Sequence, residues 1–327
     1  MKSNVFSVIL CSAGLLCATP SVTWAQVVST SKPVRFIVPF AAGGAQDAIG
    51  RYFAHKLTTR AGMTVVVENK GGAGGVIAAD QVAKSTPDGT TLLIATGSPI
   101  TIAPHLQPKL PYDPKRDFVP LAILADTPMT LAVRSQSRYT TMAELIRDAK
   151  TRSAPLSFAS NGTGTISHLV GELFAQRVGV PILPVPYRGA GPAMTDLMGG
   201  QVEVMVASSA SIDPAVKMGT ARVLGSFTAK RLPTLGGAPT VNESAGMSGL
   251  EVPVWVGVMA PAKTPAARIA HLTQELQAIC KLPETQEMFL GLGALPSCGG
   301  PADLEKVVAE DFDRWSRVIR QSNIKVN

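Results

Sequence analysis

Apolar positions along this chain change period again and again, from runs that suit a buried strand to i, i+3, i+4 spacing that suits a helix. The first unit shows both. VRFIV at 34–38 reads as a buried strand, Gly43 and Gly44 as a turn, and Ala45, Ala48, Ile49, Tyr52, Phe53 and Leu57 as one face of a helix. A strand at 64–68, a glycine-rich turn at 71–75, a helix at 76–84 and a strand at 91–95 continue the alternation. The stretch 99–120 carries too many prolines to hold a regular element for long and reads as a structured crossing segment.

A second series follows. Strands are predicted at 130–133, 156–159, 182–186, 202–207 and 222–226, with helices at 142–150, 167–178 and 192–198. Thr141 with Glu144 forms a capping-box pattern at the first of these helices. A strand at 252–259 then returns toward the first half, followed by helices at 265–280, 283–290 and 301–319. Alternating strands and helices predict parallel sheets covered by helices. The expected arrangement is two α/β lobes, the second inserted within the first: 26–127 with 251–327, and 128–250.

Two strand-to-helix loops carry the candidate chemistry. At Gly43-Gly44 the missing Cβ lets the backbone turn sharply and a ligand approach. The helix behind it presents unpaired amides and a dipole that favours an anion. The competing reading is a tight βα turn and nothing more. The loop Ser160-Asn161-Gly162-Thr163-Gly164-Thr165 offers hydroxyls and flexible amides in the same setting, and the two would face each other if the lobes do. Its competing reading is a polar helix N-terminus. Asp47, in the first turn of the opening helix, caps amides or meets a donor of the ligand. His168 lies in the first turn after the second loop, where a ligand contact and a structural role are both open.

Composition narrows the classes. The chain has 327 residues, 46% hydrophobic but only 5% aromatic, with formal charge +7. Basic residues are scattered among acidic ones without a run, which argues against a nucleic-acid surface. Residues 1–25 have Lys2, an apolar core at 5–18 and Thr23-Trp24-Ala25, the layout of an export signal cleaved before Gln26. Its removal takes the charge from +7 to +6. Of the four cysteines, Cys280 and Cys298 remain, either as a disulfide or as two buried thiols. Motifs for catalysis are missing: no GKS or GKT, no GxSxG, no HExxH, and Ile77 where a dinucleotide fingerprint needs its third glycine. No metal and no cofactor are expected, and the chain does not read as an enzyme.

Longer motifs carry a resemblance. KPVRFIVPFAAGGAQD, VVVENKGGAGGVIAADQVAKSTPDGTTLL, LPYDPKRDFVPLA, ISHLVGELF, VPYRGAGPAMTDLMGGQVEVM and VWVGVMAPAKTP run colinearly over essentially the whole mature chain. They resemble the Bug-type extracytoplasmic solute receptors of tripartite tricarboxylate transporters. The resemblance implies an α/β, two-lobed periplasmic binding protein of type II-like, Venus-flytrap form with hinge strands. It implies a monomer that captures a small organic carboxylate and passes it to the large and small membrane subunits of a transporter. A secreted ligand sensor, or an enzyme using the same cleft, are the alternative readings. Carried onto this chain, the ligand residues are Phe40, Ala41, Ala42, Gly43, Gly44 and Asp47 on one jaw. Gly162, Thr163, Gly164 and Thr165 form the other, with Thr96, Ser98, His168 and Ser208 as further wall. Three departures stand out. Gln46 replaces the threonine of the usual GGxTD, Thr163 and Ile166 replace an asparagine and a serine, and Ala207-Ser208 replaces an Asp-Asn pair. Without that carboxylate an ammonium group would lack its partner, so the expected ligand is an acid without an amine.

Overall fold

In the computed structural model, which describes residues 32–322, the opening series comprises β1 (Val34–Val38), α1 (Ala45–Ala61), β2 (Val65–Asn69), α2 (Val76–Ala83) and β3 (Thr91–Thr96). A wide helical turn (Ser98–Ile102) and short α3 (Ala103–Leu106) lead to β4 (Phe118–Asp126). Then come β5 (Met129–Arg134), α4 (Met142–Thr151), β6 (Leu156–Ser160), α5 (Ile166–Val178), β7 (Ile182–Pro186) and α6 (Ala190–Gly199). β8 (Val204–Ser208), α7 (Ser209–Lys217), β9 (Ala221–Ser226) and α8 (Val241–Ala245) finish the second series. The chain returns as β10 (Trp255–Pro261), α9 (Ala266–Cys280), α10 (Pro283–Gly291), β11 (Leu295–Gly299) and α11 (Pro301–Ser322). The predicted export signal lies outside the described residues.

The strands form two sheets, one per lobe, in the orders β11-β4-β10-β3-β1-β2 and β7-β6-β8-β5-β9. Both are mixed, which corrects the expectation of parallel sheets. β1 runs parallel to β2 and β3, and β6 parallel to β7 and β8. β10 is antiparallel to β3 and β4, and β5 to β8 and β9. These exceptions are the strands that enter from the other sheet without a crossover helix to restore their direction.

Central strands are buried on both faces, and their alternation sorts side chains between two layers. In β1, Phe36 and Val38 join one apolar cluster while Ile37 joins another. In β8, Val204 and Val206 face one cluster and Met205 and Ala207 the other. Two chain segments pass side by side between the sheets, where the Thr127 amide donates to the Val254 carbonyl at 2.7 Å. α11 is a third link: Leu304 packs in the first lobe, Trp315 and Ile319 in the core of the second. Cys280 and Cys298 form a disulfide with Cα atoms 5.4 Å apart, tying the end of α9 to β11. Closing a loop of that separation stabilises by about 3 kcal/mol.

Candidate binding site

The C-terminal ends of β1, β3, β6 and β8 converge, and a small cavity lies where their loops meet. It is bordered by Phe40, Thr96, Ser98, Thr165 and Ser208 among the predicted residues, and by Gln46, Met129, Asn161, Ile166, Ser167 and Val254 beyond them. The volume open to the centre of a water is about 20 Å³, room for about one or two waters. The lobes are closed on each other here. No charged side chain among the described residues lines the cavity.

Each loop owes its shape to local capping. Thr165 caps α5: its Oγ1 donates to the Gly162 carbonyl at 2.7 Å and accepts from the His168 amide at 3.4 Å. His168 Nδ1 accepts from the Gly164 amide at 3.1 Å, and its Nε2 lies 3.6 Å from Glu172. His168 therefore braces the loop from behind and does not border the cavity. The Ser167 hydroxyl holds the Asn161 amide at 2.8 Å.

α1 has no side-chain cap at Gly44, and Asp47 reaches back instead to the Gly43 amide at 3.1 Å. It also accepts from Arg51 Nε at 2.9 Å and Asn69 Nδ2 at 3.0 Å. Burial opposes its charge, yet the bonds from Arg51, Gly43 and Asn69 together hold the carboxyl below its ordinary value. The amides of Gln46 and Asp47 in the first turn have no partner among the described residues.

The closed lobes bond directly. The Ala41 amide donates to the Arg188 carbonyl at 2.9 Å, the Ala45 amide to Ser211 Oγ at 3.0 Å, and the Ile166 amide to Ser98 Oγ at 3.1 Å. Ser208 Oγ lies 2.9 Å from Ser211 Oγ, extending the second of these links. The approach is close enough to require glycine. A Cβ on Gly191 would sit 2.3 Å from the Ala42 carbonyl oxygen, and one on Gly189 2.9 Å from the Ala41 amide.

Of the predicted residues, Ala41, Ala42, Gly43, Gly44, Asp47, Gly164 and His168 thus lie in or behind the loops without bordering the inner cavity. Gly162 and Thr163 face a separate outer cavity, which also reaches Phe40 and Asn161. A groove of about 490 Å³ along the proline-rich segment, bordered by Tyr112, Lys115 and Phe312, shares no residue with either loop.

Among the described residues, two buried polar atoms of cavity-lining side chains, Thr96 Oγ1 and Asn161 Oδ1, and one next in sequence, Ser160 Oγ, stand without a hydrogen bond. Unpaired buried polar atoms are costly, so their convergence on one cavity marks where a polar guest would be bonded. Behind the Gly97 turn a second carboxylate, Asp311, accepts from Thr101 at 2.6 Å, Trp255 Nε1 at 3.1 Å and Arg314 at 2.9 Å. Burial pushes its pKa up despite these donors, the reverse of Asp47.

Gln46 and Asn161 adjoin predicted residues and were legible as polar neighbours of a glycine turn. Met129 and Val254 were not, because only the side-by-side passage of the two linking segments brings them to the cavity.

Residues 49–324 match the tripartite tricarboxylate transporter family receptor. The chain belongs to that family. BugT of Bordetella pertussis is 32% identical over 98% of this chain and 97% of its own. Periplasmic binding protein BugD is similar at 35% identity with a TM-score of 0.86, over 90% of this chain and 99% of its own. An R. palustris protein solved with adipate gives 32% and 0.87, over 90% and 99%. MatC from Rhodopseudomonas palustris, with bound malate, gives 31% and 0.83, over 89% and 99%. BugD is described as a binding protein, and the three solved relatives share this chain's two-lobed α/β fold.

Proposed function

We propose that this chain is a periplasmic receptor, exported by the signal at 1–25, that captures a small organic carboxylate between its lobes without transforming it. It then delivers the acid, as a monomer, to the large and small membrane subunits of a tripartite transporter. The lobes divide at 127/128 and 250/251. The observation that carries this reading is the unpaired Thr96 hydroxyl at the cavity wall, with that of Ser160 beside the facing loop, next to the free first-turn amides of α1. Hydroxyl and amide donors suit a carboxylate, and the dipole of α1 adds to their pull. Adipate and malate in two relatives agree with that chemistry. Phe40 closes the apolar side, and the loops from Ala41 to Asp47 and from Gly162 to His168 hold the donors in place.

Closure stabilises the bound state, because the links from Ala41, Ala45 and Ile166 to the opposite lobe exist only when the lobes meet. A thermal-shift screen of the mature chain against mono-, di- and tricarboxylates tests the proposal. An acid at about 100 times its Kd adds about 2.7 kcal/mol of apparent stability. No response to any carboxylate, confirmed by calorimetry, overturns it.

A further inference from the structure

Another cavity lies where the two linking segments pass, on the face of them turned away from the inner cavity. In the segment after β4 the residues alternate: Met129 borders the inner cavity, whereas Asp126 and Pro128 border this one. Val254, in the segment before β10, borders both and forms the partition between them. The space measures about 390 Å³, within the range of small-molecule sites. Its walls come from both lobes: Asp126 of β4 and Leu295 of β11 from the first, and residues 227–232 after β9 from the second.

Most of the wall is apolar, built by Pro128, Phe227, Leu232, Val252 and Leu295. Three charged side chains border it, those of Asp126, Lys230 and Glu251. Glu251 is engaged by Asn242 Nδ2 at 2.7 Å, and Lys230 is exposed. The Thr228 hydroxyl is spent on the Lys230 carbonyl at 2.7 Å. The Asp126 carboxyl has no hydrogen bond and no ion pair among the described residues, and burial raises it above its ordinary value with no cation to offset the effect. A half-buried carboxylate without a partner is costly, and an ammonium group brought beside it would remove that cost. An apolar wall with one unpaired acid in it suits a carbon skeleton that carries a single positive charge.

We propose that this hinge cavity is an effector site for a small apolar molecule bearing one ammonium group, held by Asp126 and the apolar wall. The cavity has this shape with the lobes closed, and its walls move with them. Parting the lobes at the inner cavity turns the opposite face of the linking segments inward and compresses a guest held there. The occupant therefore favours the closed form and raises the affinity for the acid in the inner cavity. By reciprocity the acid raises the affinity for the amine. That coupling rests on the proposed carboxylate-binding function, whereas the amine site does not.

Calorimetric titration of phenethylamine and of 2-phenylethanol, its uncharged counterpart, into the mature chain free of carboxylate tests the site. The amine should bind about tenfold tighter or more, the scale of a charge-assisted hydrogen bond. Asp126→Asn, which breaks no hydrogen bond of that side chain, should erase the preference and leave the alcohol unchanged. Ala229→Trp, at an exposed position bordering the cavity, should weaken both. Equal binding of amine and alcohol by the parent, binding of neither, a preference that survives in D126N, or an A229W that weakens neither overturns the site. An acid identified in the thermal-shift screen should then bind several-fold tighter in saturating phenethylamine, and the gain should vanish in D126N. Unchanged or weakened acid affinity overturns the effector role. Failure of every acid to bind overturns the carboxylate reading and the effector role with it, and leaves the amine site standing.

Discussion

The two loops that meet across the cleft look alike as sequence, each a glycine turn between a strand and a helix, but they are built differently. The loop after β1 spends its groups on closure. Gly43 is held by Asp47, Ala41 by the Arg188 carbonyl, and Ala45 by Ser211. The loop after β6 braces itself with Thr165, Ser167 and His168, and leaves the Asn161 oxygen unpaired at the cavity. A shared motif therefore does not mean a shared task. One jaw is chiefly a latch, tied to the opposite lobe through Ala41 and Ala45, whereas the other crosses only at the Ile166 amide and is mainly a self-braced wall.

Changes at the latch should act on closure and changes at the wall on affinity alone. The largest effect is expected from Gly191→Ala, whose Cβ would meet the Ala42 carbonyl only when the lobes close. Overpacking of this kind costs roughly 1–3 kcal/mol, so ligand affinity should fall by up to about 100-fold. Alanine inside α6 is favourable in itself, so the ligand-free melting temperature should hold or rise. Small-angle scattering should show the variant failing to compact with ligand. Normal compaction would mean that this contact does not define the closed state.

Asp47→Asn should cost about 1–2 kcal/mol at neutral pH, since it weakens bonds to a buried carboxylate. The sign of its pH dependence is fixed by the lowered folded-state value. The stabilisation is complete above the ordinary carboxyl value of 3.8 and is lost as pH falls through the folded value. Acid melting curves should therefore show a smaller loss of stability below pH 3.8 in D47N than in the parent. Parallel curves would remove Asp47 from the latch.

At the wall, Thr96→Val exchanges an unpaired buried hydroxyl for a methyl of the same shape. Without ligand this should be neutral or stabilising, while carboxylate affinity drops by about tenfold, the value of one charge-assisted bond. Calorimetry beside a ligand-free melt separates the two, and unchanged affinity would place the guest elsewhere. Ser98→Ala is the mildest, removing one link to the Ile166 amide. A net change of about 0.5–1 kcal/mol should weaken binding only a few-fold, again with reduced compaction.

Much of this architecture was legible from residue patterns. The switch between strand and helix periods marked β1 to β3 and the alternation in the second series, because the inner strands β1, β3, β6 and β8 are largely buried on both faces and α4 and α5 are capped by Thr141 and Thr165. β4 was missed because its start carries Pro120 and follows a proline-rich stretch. α7 was missed because Pro214 interrupts its pattern, and β11 because it holds only Leu295 to Gly299, with Pro296 inside. Sheet direction was misread because a single strand's pattern does not record which neighbour it will lie against. Of the residues carried over from the family resemblance, Phe40, Thr96, Ser98, Thr165 and Ser208 border the cavity. That Asp47 and His168 turn away from the cavity depends on where Gly43 and Gly164 point their amides, a geometry with no signature in composition.

The helix α11 gives the two lobes a relation that the linking segments alone would not. With Leu304 embedded in one half and Trp315 and Ile319 in the other, it acts as a splint laid across the joint. Cutting both linking segments would leave the halves riveted together. Any parting of the jaws must therefore either use this helix as its pivot or pull Trp315 and Ile319 from their seat.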